Sequence, residues 1–74
     1  MFYTNFVNYC DMLGKSPYTV AADCGIKSTA TIAGWRSGAQ PRPKALDSIV
    51  KYFKANGLDI EVADLFSEDE DDEI

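Results

Sequence analysis

The chain has 74 residues, 46% of them hydrophobic, with no histidine, two cysteines and a formal net charge of −5. That length holds one small domain, which needs good helix packing, a staple or a partner to be stable. The composition excludes a structural zinc site, which takes four Cys or His ligands, and offers no run of about 18 apolar residues to span a membrane.

In chain order, residues 2–13 form the first predicted helix. Phe2, Phe6, Cys10 and Leu13 recur at helical spacing, with Tyr3 and Val7 widening the stripe. Thr4 or Asn5 is an alternative cap for a shorter helix, and Gly14 ends it. Ser16-Pro17 opens the second helix, a serine cap followed by proline at the first helical position. That helix runs to about Cys24, with Val20, Ala21 and Cys24 on its apolar face and Tyr18 at its surface. The β-branched Thr19 and Val20 weaken its propensity, so packing must hold it.

Gly25 stops the second helix and Ile26 plugs the core from the turn. Ser28 or Thr29 caps the third helix, roughly residues 29–37, in which Ile32 and Trp35 face inward together. Two helices this short with so tight a joint predict a helix-turn-helix. Gly34 inside the third helix costs about 1 kcal/mol against alanine, a cost that goes with tight packing on a neighbouring helix, with plain tolerance, or with close approach to a phosphate or another backbone. Gly38 closes this helix, and Gln40-Pro41-Arg42-Pro43 is a stiff connector. Pro43 starts the fourth helix, whose Leu46, Ile49, Val50 and Phe53 give the cleanest apolar stripe in the chain; Asn56-Gly57 stops it. Asp59 caps a last short helix carrying Ile60 or Val62, Leu65 and Phe66. The predicted fold is all-α, five helices without a sheet, with Trp35 buried against helices 2 and 4 and sharing a core with Phe53 and Leu65.

Charge divides the chain. The first 66 residues carry seven basic against six acidic side chains, whereas 67–73, SEDEDDE, add six acids. We read residues 1–66 as the domain and 67–74 as a disordered acidic tail, either solubilising or set to screen a basic patch and repel DNA. Cys10 and Cys24 read as buried free thiols. No signal peptide is visible, and a cytoplasmic protein is expected. Without histidine, a phosphate loop or paired acids at catalytic spacing, the chain reads as no enzyme, with no metal and no cofactor.

Nucleic-acid binding has more residues behind it. With Ile32 and Trp35 inward, the opposite face of helix 3 presents Thr29, Ala30, Ala33, Arg36 and Ser37, short side chains that let a helix approach a major groove. Lys15, Lys27, Arg42 and Lys44 sit at helix ends and joints around it as candidate phosphate contacts, and Ser16 heads a helix that can face a phosphate.

Val20-Ala21, Cys24-Gly25-Ile26, Thr31-Ile32-Ala33-Gly34-Trp35, Gly38, Pro41 and the stripe from Leu46 to Phe53 resemble the Cro/CI-type (XRE-like) helix-turn-helix family of phage and bacterial repressors, over residues 6–66. The resemblance implies that Ala21 lets the two helices cross closely, Gly25 makes the turn, and Ile32 and Trp35 anchor the recognition helix. It implies that Ser28, Thr29, Ala30, Ala33 and Gly34 face the bases and that Tyr18 touches phosphate or supports the reader helix. It further implies transcriptional regulation through double-stranded DNA, a palindromic operator bound by a homodimer. Three departures stand out. There is one residue more than usual between Gly25 and Ile32, and a longer interval from Phe53 to Leu65. Helix 3 is poor in the Gln, Asn and Arg suited to base discrimination. The alternative is a helical protein-interaction module or an inhibitor of another regulator.

Overall fold

Each helix of the computed structural model, which describes residues 2–67, begins and ends where local chemistry sets it. The described residues form five α-helices and no strand: α1 (Phe2–Met12), α2 (Pro17–Asp23), α3 (Thr29–Arg36), α4 (Pro43–Ala55) and α5 (Val62–Leu65). The Ser16 side chain accepts the Thr19 N–H at 3.1 Å and caps α2, and Ser28 occupies the same position for α3. Gly25, at φ 90°, turns the chain out of α2 in a left-handed conformation that other residues adopt at a cost. Its N–H bonds to the Ala22 carbonyl and that of Ile26 to the Ala21 carbonyl, closing a Schellman motif. The same paired bonds close α1, α3 and α4.

The apolar stripes predicted for these helices converge on one core. Phe6, Cys10, Val20, Ala21, Ile49, Phe53 and Leu65 are fully buried. Trp35 is 3% exposed and shares that core with Phe53 and Leu65. That cluster includes Val20 and Ala21 of α2 and Ile49 and Val50 of α4, and the ring partners of Trp35 lie on α1. Phe2 and Phe6 meet the indole edge-on, with centroids at 5.4 and 5.6 Å. Edge-to-face aromatic pairs of this kind add to area burial, so α1 seats α3 together with α2.

The end of the chain corrects one detail. Glu61, not Asp59, heads the last helix, and the Asp64 carboxylate accepts the Glu61 N–H at 2.8 Å. Ile60 and Leu65, both buried, flank that turn in the positions of a hydrophobic staple. The long interval after Phe53 is an enlarged loop rather than a longer helix, because α4 stops at Ala55. Asn5 does not cap a shortened α1; its Nδ2 donates to the carbonyls of Leu65 at 2.9 Å and Ser67 at 2.8 Å, satisfying orphan acceptors at the end of α5. The chain is thereby tied to α1 through Ser67, and the predicted tail beyond it lies outside the described residues. No helix among the described residues is long and apolar enough to cross a membrane.

Candidate functional site

Burial of Ile32 and Trp35 fixes which side of α3 faces outward. Ser28, Thr29, Ala30, Arg36 and Ser37 are exposed, and Ala33 and Gly34 are half-buried. The outer surface of this helix is thus made of hydroxyls, methyls and one glycine until Arg36 in its last turn. Gly34 has ample room. A methyl added there would meet the Ala39 Cβ at 3.9 Å and nothing nearer, so tight packing does not explain the glycine.

Beside this face runs a hollow of about 430 Å³ between α3 and the connector to α4. Ala30, Thr31, Gly34 and Trp35 form one wall, and Pro41 and Arg42 belong to the other. A second hollow of about 310 Å³ adjoins it, sharing Ile26, Arg42 and Ala45 and adding Lys44. The structure therefore brings Ala30, Gly34, Arg42 and Lys44 to one side of the molecule. Thr31 is exposed there too, a position that sequence reasoning passed over although it lies between Ala30 and Ile32 on the helix. Pro41, read from the sequence as part of the stiff connector and not as a site residue, is buried and lines the hollow beside α3.

The remaining predicted residues separate from this set. Lys15, Ser16 and Tyr18 are exposed but line neither hollow. Lys15 Nζ donates to the Tyr52 hydroxyl at 3.0 Å, which in turn donates to Asp23 Oδ2 at 2.8 Å. The ammonium also lies 5.6 Å over the Tyr52 ring and 3.8 Å from Asp23. The Tyr52 hydrogen bond, aided by Asp23, raises the Lys15 pKa above its ordinary value. Lys15 belongs to a clasp between α2 and α4, and Ser16 Oγ is occupied at its own helix, donating to Thr19 Oγ1 at 3.0 Å. Of the predicted phosphate contacts, these two are already engaged.

Charge pairing draws the same boundary. Lys51 pairs with Asp47 at 3.1 Å, Lys54 with Glu61 at 3.1 Å, and Lys15 with Asp23. Among the described residues, Lys27, Arg36, Arg42 and Lys44 form no salt bridge, and all four are exposed. Lys27 precedes α3, Arg36 ends it, Arg42 closes its connector and Lys44 opens α4, whereas Lys51 and Lys54 lie further along α4 and Lys15 precedes α2.

The two thiols carry no nucleophile. Burial, with Asp11 adding to it, pushes Cys10 up to about 12, and burial with Asp23 pushes Cys24 up to about 11. Both are free cysteines, Cys10 buried as expected and Cys24 only half-buried, because it caps the exposed end of α2. No group of three or more acidic, Cys or His side chains that would hold a metal occurs among the described residues. Compared with protein-family models, characterised proteins and solved structures, the chain matches none.

Proposed function

We propose that this chain binds double-stranded DNA through the outer face of α3 and acts as a small transcriptional regulator of the helix-turn-helix kind. The observation that carries the reading is the sorting of its cations. Three of the seven basic side chains are neutralised by neighbouring acids, and the four left unpaired among the described residues lie between the turn before α3 and the start of α4. Unpaired cations flanking a helix of short side chains in sequence suit a duplex, whose phosphates border the groove that such a helix would enter. In this reading Lys27, Arg36, Arg42 and Lys44 hold phosphates, and Ser28, Thr29, Ala30 and Ala33 meet base edges with Ser37 at the rim. Hydroxyls bond to either base type, and the methyls of Thr and Ala suit the thymine methyl. Discrimination is modest, because α3 itself carries no long amide side chain.

The test is selection from a random duplex library and from fragments around the gene itself, with affinity followed against salt. Four phosphate contacts per protomer predict a slope near −3.6 in log K against log salt, or about twice that for a dimer on a palindrome. Absence of any enriched duplex at 50 mM salt would remove the proposal. The apolar lining of the larger hollow, with Ile26, Trp35, Pro41 and Ala45, favours a second reading, in which a protein partner's apolar side chain seats there. Under that reading, substituting Ala45 by a charged residue abolishes partner capture and leaves duplex binding undetectable in both forms.

A further inference from the structure

The two hollows beside α3 share a wall. Ile26, Arg42 and Ala45 line both of them. The larger, about 430 Å³, falls in the range of ligand pockets, about 300–1,000 Å³. Its apolar lining is Ile26, Ala30, Trp35, Pro41 and Ala45. Arg42 stands where the hollows meet, and Lys44 lines the smaller one. Both cations are exposed, and neither forms a salt bridge among the described residues. No described acidic side chain lines either hollow. A sugar–phosphate backbone would satisfy the two cations and leave the apolar recess beside Trp35 unfilled. A purely apolar ligand would fill the recess and leave the cations unmet. A ligand carrying both groups complements the whole groove.

We infer that the groove docks a segment of a partner protein in which a large apolar side chain, aromatic or leucine, is followed closely by aspartate or glutamate. The spacing is within about three residues, which span about 10 Å when extended. The apolar side chain enters the larger hollow against Trp35, and the carboxylates meet Arg42 and Lys44. The docking rests on the protein-partner reading given above and not on the DNA reading. Ala30 and Arg42 belong both to this groove and to the face proposed for duplex, so the two ligands exclude each other.

The experiment selects a display library of random peptides, about twelve residues long, on the full chain. Synthetic forms of the enriched peptides are then titrated against the fluorescence of Trp35, the single tryptophan, which lines the larger hollow. The enriched peptides are expected to carry the apolar–acidic pattern. Alanine at the apolar position weakens binding about thirtyfold. Arg42→Glu combined with Lys44→Glu weakens it about tenfold and shifts preference to peptides with lysine in place of the acids. Both positions are exposed, and acids at a helix N-terminus suit its dipole, so this variant keeps the fold. Ala45→Leu narrows both hollows and weakens binding as well. Enriched peptides without acids would overturn the inference and leave the partner reading standing. If none is enriched, or if those enriched ignore Ala45→Leu and the charge reversal alike, both fall. Self-association that Ala45→Leu abolishes would give the groove to a second copy of the chain. A Trp35 response to phenylacetate or octanoate as tight as that to the peptides would give it to a small acid. Either result overturns the docking of a protein segment. A duplex that stays bound at saturating peptide would refute the mutual exclusion.

Discussion

Gly34→Ala separates the stability of α3 from its use. Glycine inside a helix is less favourable than alanine by about 0.8–1.0 kcal/mol. Gly34 is not among the glycines at positive φ, so alanine adopts its backbone without strain. The added methyl would have the Ala39 Cβ at 3.9 Å as its nearest neighbour, an ordinary contact that neither clashes nor fills a cavity. The propensity gain is therefore available, reduced to about 0.5–0.8 kcal/mol because Gly34 sits near the helix end, where the chain already frays. For a domain of this size that raises the melting temperature by about 2–6 °C. Thermal unfolding followed by circular dichroism measures it directly. On the outer side the same methyl stands beside Ala30, where the proposed duplex would approach, and duplex affinity is expected to fall several-fold. A lower melting temperature would refute the packing argument, since it would mean that something meets the methyl. A stabilised variant with unchanged duplex affinity would show that the α3 backbone at Gly34 does not approach the ligand.

Trp35→Ala should cost about 3–5 kcal/mol, the range for truncating a buried aromatic, and leave a domain this small largely unfolded by circular dichroism. Arg36→Ala combined with Arg42→Ala should lower the magnitude of the duplex salt slope by about 2 and leave the melting temperature nearly unchanged, because neither side chain is paired among the described residues. Both thiols hold their protons more tightly folded than unfolded, so their contribution to stability is complete below about pH 9 and is lost as pH rises toward about 11 and 12; denaturant titrations from pH 8 to 11 should show stability falling. Tyr52→Phe removes the hydroxyl shared by Lys15 and Asp23 and should lower the melting temperature by no more than a few degrees without changing duplex affinity.

Helix boundaries were legible because their signals are local. Ser16-Pro17 and Gly25 act within one turn of the chain, and the structure starts and stops α2 there. The five-helix, all-α architecture and the inward turn of Trp35 were readable for the same reason: the spacing of Ile32 and Trp35 leaves one outward face. What Trp35 packs against was not readable, because periodicity says that a side chain points inward but not which helix receives it. Phe2 and Phe6 settle that at a separation of about thirty residues. Asp59 and Glu61 offer similar acids two positions apart. The choice between them follows from burial of Ile60, which must enter the core just before the helix begins. The engagement of Lys15 depends on Tyr52, 37 residues away, and no local pattern announces it.

The two sides of α3 answer different demands, and this is why the four unpaired cations carry weight. Exposed ion pairs contribute about 0–1 kcal/mol each, so leaving Arg36 and Arg42 unpaired costs the fold little. Pairing them would gain it little as well, and stability alone gives no reason to cluster them. Solubility gives none either, since the first 66 residues are almost balanced in charge and a concentrated patch of one sign serves solubility no better than dispersed charges. Mutual repulsion makes such a cluster slightly unfavourable unless an anion meets it. The core side of α3 is meanwhile committed to the aromatic face of α1, where Trp35 meets Phe2 and Phe6. Substitutions on the outer side can therefore change what the helix binds without touching what holds it in place. A polyanion such as the proposed duplex is the kind of ligand that would suit this division of the helix.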